Sequence, residues 1–172
     1  MGGEPAPPAA RGPGPGGWLA GLCRGFAIAG GVLILAAAAL TVVSVGTRYV
    51  LGRPIPGDFE LVEIACAVAV FAFLPWCQLQ RGNVLVDVFT LRAPRRLRAR
   101  LDALWSALYG ALALLLAWRM ALGGLDMRRY GEQTMVLGVP LWWGFIPIVA
   151  SLLLLAATCL ATAWHDLRGG SR

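Results

Sequence analysis

From Gly25 to Thr47 the chain runs 23 residues without a charged side chain. Wound into α-helix at about 1.5 Å per residue, such a run crosses the ~30 Å hydrocarbon core of a bilayer. Three further apolar blocks follow, Leu61 to Leu79, Leu101 to Leu122 and Val139 to Trp164. Lipid offers no partners to backbone N–H and C=O groups, so each block must satisfy its own and is expected as helix. Composition agrees: 58% of residues are hydrophobic and 14% charged, against roughly 25% charged in a soluble domain. The expectation is an all-α integral membrane protein with four transmembrane helices, about 25–47, 61–79, 101–122 and 139–164, inside a membrane domain of residues 18–166.

The flanking segments read differently. Residues 1–17 are mostly Pro, Gly and Ala, cannot bury enough surface to offset ordering entropy, and read as a disordered tail. A cleaved signal peptide is the competing reading of the first block, with Arg24 in front and the Ala36 to Ala39 run inside it. The apolar stretch is too long for a signal core and continues past those alanines, so a retained helix is expected. Pro54, Pro56 and Gly57 interrupt the chain, and Asp58 is placed to cap the second helix. Residues 84–100 set apolar side chains beside arginines, the pattern of a short amphipathic segment lying in the interface between helices two and three. Residues 167–172 close the chain as a short polar tail.

All 15 basic residues are arginines, and their distribution sets an orientation. With the N-terminus inside, Arg11, Arg24, Arg81, Arg92, Arg95, Arg96, Arg98, Arg100, Arg168 and Arg172 are cytoplasmic. Only Arg48, Arg53, Arg119, Arg128 and Arg129 fall on the other side. The positive-inside rule therefore places both termini in the cytoplasm. Lipid headgroups account for this charge better than nucleic acid, because no basic patch sits on a soluble domain large enough to use it. The tryptophans Trp18, Trp76, Trp105, Trp118, Trp142, Trp143 and Trp164 lie near block ends, where indole rings suit headgroup depth.

Catalytic and metal chemistry find little to work with. Cys23, Cys66, Cys77 and Cys159 are scattered without a C-x-x-C pair, and His165 is the sole histidine. A bis-His haem within the chain is excluded, and neither a zinc site, a nucleophile–base set nor a phosphate loop is legible. The reading is not an enzyme and no cofactor.

The charges that remain are few and sit at block ends. Glu60 and Glu63 open the second helix three residues apart, on one face and on the same membrane side as Arg48. A charge at that depth is costly unless paired, so an ion pair of Arg48 with Glu60 or Glu63 is expected, in a structural or subunit-contact role. A second polar cluster, Gln78, Gln80, Arg81, Asn83 and Asp87, marks the cytoplasmic exit of helix two. Gly17, Gly21 and Gly25 repeat a G-x-x-x-G spacing, mostly ahead of the apolar block. Four helices with so few polar residues offer no clear aqueous path, which suits an accessory subunit.

Residues 48–90, RYVLGRPIPGDFELVEIACAVAVFAFLPWCQLQRGNVLVDVFT, resemble the small permease (DctQ-like) subunit of tripartite ATP-independent periplasmic (TRAP) transporters. That family has an Arg after its first helix, an acidic residue opening the second and an R-x-G-H-x-x-V-D-like run on leaving it. Arg48, Glu60 or Glu63, Arg81-Gly82-Asn83 and Val86-Asp87 follow in that order, with Asn83 where a histidine is common. Gly131 to Thr134 and Val139-Pro140-Leu141-Trp142 are similar to the family's turn before the last helix, which singles out Pro140 and Trp142.

The resemblance implies a bacterial inner-membrane subunit that pairs with a large multi-helix permease subunit. A periplasmic solute-binding protein would deliver an organic acid for ion-gradient-driven uptake. Arg53, Asp58, Arg128, Arg129 and Glu132, in the loops opposite the termini, are the candidate contacts for that binding protein. Other readings are the small subunit of a tricarboxylate-type tripartite transporter, a self-contained exporter and a non-transport membrane scaffold. An exporter needs a carboxylate near the bilayer centre, and Glu63 lies too close to the membrane face.

Overall fold

The computed structural model describes residues 17–80 and 95–169, the side chains of 95–103 and 165–169 excepted. Among the described residues four helices follow in order: α1 (Gly17–Leu51), α2 (Asp58–Leu79), α3 (Arg95–Tyr130) and α4 (Trp142–Gly169). Each is long and apolar enough to cross a membrane. No strand occurs among the described residues, which contain a single isolated β-bridge.

The helices overrun the apolar blocks. α1 has 35 residues and α3 has 36, about 52 and 54 Å at 1.5 Å per residue, well beyond the ~30 Å of hydrocarbon. The polar stretch that follows the third apolar block is helical as far as Tyr130, and there Gly123 and Gly124 pack beside Phe145 of α4. α3 stops at Gly131, whose φ of 65° opens a Schellman motif. There the Glu132 N–H donates to the Met127 carbonyl at 3.1 Å and the Gly131 N–H to that of Arg128 at 3.4 Å. α4 starts at Trp142 rather than 139, after a turn through Pro140 and Leu141. The tail over 1–17 lies outside the described residues except for Gly17, which opens α1. The interfacial segment over 84–100 also lies outside them up to residue 94, and from Arg95 it is continuous with α3.

The helices stand side by side in the order α1–α2–α4–α3, and α1 touches α4 only marginally. α1 runs antiparallel to α2: Gly30 meets Ala69 and Ala72 at one level and Ser44 meets Asp58 at another. α3 runs antiparallel to α4, with Gly110 beside Cys159 and Gly124 beside Phe145. The inner helices α2 and α4 are parallel, Ile64 lying near Gly144 and Phe71 near Ser151.

Lipid supplies no hydrophobic drive between helices, so close approach through small side chains has to hold the row together. A Cβ on Gly30 would come within 3.1 Å of the Ala72 Cβ, and one on Gly110 within 3.0 Å of the Cys159 Cβ. The best-buried cluster joins Ala113 and Ala117 of α3 to Ile148, Leu152, Leu155, Ala156 and Cys159 of α4, with Phe71 and Leu74 of α2 against it. By contrast, among the described residues nothing lies within 4 Å of where a Cβ would stand on the G-x-x-x-G glycines Gly17, Gly21 and Gly25.

Pro75 lies inside α2 and lacks the N–H that would reach the Phe71 carbonyl one turn earlier. Ser151 of α4 donates its hydroxyl to that carbonyl. The buried polar side chains among the described residues are Ser44, Gln78, Ser151 and Thr158. No buried side-chain nitrogen or oxygen there lacks a partner.

Candidate functional site

The two connections α1–α2 and α3–α4 meet at one end of the row, opposite the chain termini, and most of the charged candidates gather there. Gly52, at φ 71°, ends α1, and Pro54 and Pro56 keep the next residues out of helix. Gly57 then takes a left-handed conformation (φ 77°, ψ 9°) and occupies the N-cap of α2 without a side-chain cap. Asp58, expected as the cap, is instead the first helical residue. Its carboxylate accepts the Phe59 N–H at 2.7 Å and the hydroxyl of Ser44. Ser44 in turn accepts the Ile55 N–H at 3.3 Å, so one buried hydroxyl ties α1, the loop and α2 together.

The α3–α4 connection is a short hairpin. The Thr134 N–H donates to the Val139 carbonyl at 3.0 Å and the Leu141 N–H to that of Glu132 at 3.2 Å, with Gln133 and Pro140 bridged between them. Pro140 fits because its ladder position needs no donor from it. The Thr134 hydroxyl accepts the Val139 N–H at 3.0 Å, and Gly138, at φ 64°, closes the tip. Met135 at the apex is 100% exposed.

Glu60 joins the two connections. Its carboxylate accepts the Val136 N–H at 2.8 Å and the Leu137 N–H at 3.1 Å, reaching 76 and 77 residues along the chain. Both donors sit at the hairpin tip, and Leu137 drops its side chain onto the Cα of Gly57, where no Cβ fits.

This arrangement replaces the ion pair expected from the sequence. Glu60 is committed to backbone donors, Glu63 is exposed, and Arg48 is exposed at the end of α1. Among the described residues no ion pair joins Arg48 to either glutamate. The physical reason is reach: the hairpin delivers two N–H donors to Glu60 at the loop face, so the carboxylate needs no cation.

The remaining candidates separate into engaged and open groups. The Arg128 guanidinium lies over the Trp142 ring, 5.1 Å from its centroid, and Trp142 meets Trp143 edge to face at 6.1 Å. Cation–π contact of this kind fixes the end of α3 against the start of α4. Arg53, Arg129 and Glu132 are exposed around the same face. At the opposite end, Gln78 is buried and Gln80 is exposed at the close of α2; Arg81, Asn83 and Asp87 lie outside the described residues.

Sequence reasoning missed Ser44 and Ser151. The signal for Ser151 was present: Pro75 leaves a carbonyl unpaired in a dry helix, and a hydroxyl on a neighbouring helix is the simplest donor.

Residues 37–169 match the family model described as tripartite ATP-independent periplasmic transporters, DctQ component. No curated protein and no solved structure matches the chain. The matched span takes in the Ser44–Asp58 link, the Glu60 contact, the hairpin and the Pro75–Ser151 compensation, and it covers well over half the chain. On that match the chain belongs to the DctQ component family of tripartite ATP-independent periplasmic transporters.

Proposed function

We propose that this chain, a small permease component by family, braces the large permease subunit of its transporter from one side of the row and presents the loop face to a periplasmic solute-binding protein. The observation that carries this reading is the contrast between surface and interior. Apolar side chains of α1 such as Ile28, Val32, Leu35 and Val42 stand exposed, while the buried hydroxyls are paired. Helices of this kind offer faces to neighbours rather than a polar path of their own.

The substrate path then belongs to the large subunit, and the transported organic acid is recognised there and in the binding protein. Both termini lie in the cytoplasm of a bacterial cell and the chain sits in the inner membrane, in line with the arginine distribution. Arg53, Asp58, Arg129 and Glu132 ring the loop face and steer the incoming binding protein.

Affinity purification of the tagged chain from native membranes in mild detergent tests the central point. Co-recovery of one large polytopic permease in near-equal amount supports the reading. Recovery of the chain alone or as a homodimer rejects it.

A further inference from the structure

We infer that Glu60 is a positioning residue: its carboxylate clamps the 131–141 hairpin at a fixed height over α2, and that fixed hairpin is what the partner at the loop face reads. The inference rests on the docking role proposed above, but the clamp stands on geometry alone.

Three observations support it. First, Glu60 accepts two successive N–H groups, Val136 at 2.8 Å and Leu137 at 3.1 Å, so the tip is held in orientation as well as distance. Second, the hairpin's own bonds stop at Thr134 and Val139. The segment between them has one backbone bond of its own, from the Gly138 N–H to the Thr134 carbonyl at 3.2 Å. Without the carboxylate, the Val136 and Leu137 donors would face water and the tip would keep only the Leu137 side-chain contact with Gly57. Third, Met135 and Val136 are 100% and 61% exposed, an apolar apex held away from the bundle. A flexible apex would have to be ordered at each encounter, and ordering an interface segment weakens association. A clamped one is already ordered. Charge-assisted bonds to backbone N–H groups are among the stronger hydrogen bonds available for this.

The test uses the intact transporter in proteoliposomes with its binding protein, comparing Glu60→Ala and Glu60→Gln with the parent. A nitroxide attached through Met135→Cys, in a background carrying Cys66→Ala and Cys77→Ala, reports motion of the apex. Glu60→Ala is expected to mobilise the label and to raise several-fold the binding-protein concentration that half-saturates uptake. The maximal rate and the recovery of the complex stay near parental values. Glu60→Gln, which keeps one acceptor oxygen but no charge, is expected to fall between. A label equally immobile in Glu60→Ala overturns the clamp. A mobilised label with unchanged half-saturation overturns the positioning role, as does a loss confined to maximal rate or complex yield. Uptake that never required binding protein in the parent rejects the docking reading instead, and the label alone then decides the clamp.

Discussion

The Ser151 hydroxyl of α4 donates to the Phe71 carbonyl of α2, the group that Pro75 strips of its helical donor. The proline-containing inner helix and its parallel neighbour therefore depend on each other at the middle of the row. In hydrocarbon, an unpaired carbonyl has no water to turn to.

Ser151→Ala is accordingly expected to destabilise the protein by about 1 kcal/mol, the order of a buried hydrogen bond between membrane helices. Adding Pro75→Ala restores the N–H of residue 75 and lets α2 satisfy itself. The Ser151→Ala penalty should then shrink towards zero in a double-mutant cycle, read from reversible unfolding in detergent. An undiminished penalty in the Pro75→Ala background would show that Ser151 acts by packing alone.

Adjacent glycines of α1 should behave in opposite ways. Gly30 faces Ala72 and Ala69 closely enough that a Cβ would sit 3.1 Å from one and 3.3 Å from the other, whereas Gly31 has open space. Gly30→Leu is expected to lower stability by about 2 kcal/mol through overpacking. Gly31→Leu should leave the isolated chain's unfolding midpoint unchanged or slightly raised. Equal effects at both sites would contradict the α1–α2 register.

Gly57 combines two constraints, a φ of 77° and the Leu137 side chain against its Cα. Gly57→Ala is expected to destabilise by about 2 to 3 kcal/mol, the sum of left-handed strain and the clash. In a Leu137→Ala background the clash goes and about 1 kcal/mol of strain remains. Thermal unfolding of the four variants separates the two parts.

The orientation can be read directly. In cells carrying Met135→Cys with Cys66→Ala and Cys77→Ala, a membrane-impermeant maleimide added outside should label the fully exposed apex without lysis. Labelling only after permeabilisation of the inner membrane would invert the topology.

Sequence alone located all four helices because a predominantly apolar run of near-bilayer length has few other uses. It placed their ends poorly, since hydropathy reports the solvent around a helix and not the helix itself. α3 begins at Arg95 and continues to Tyr130, where Gly131 stops it, although its apolar part is shorter. The sequence singles out Asp58 and Glu60 but gives no sign of the Ser44 hydroxyl or the hairpin N–H groups that they accept. A rule that buried charges pair with charges points from Glu60 to Arg48, but the actual donors are two backbone N–H groups, which every residue but proline carries and no sequence pattern marks. Ser44 was passed over for a related reason: one hydroxyl in an apolar run gives no sign that Asp58 lies beside it.

A row one helix deep has almost no inside. The largest fully buried side chains among the described residues are Leu152, Leu155 and Thr158, all on α4. Among the described residues each outer helix packs mainly against one neighbour, so much of the surface that would be core in a closed bundle stays exposed. What stays open is a broad apolar face, with Ile28, Val32, Leu35 and Val42 of α1 exposed. Under the bracing role proposed above, the chain produced alone is expected to turn over faster in the membrane than the chain produced together with its permease subunit.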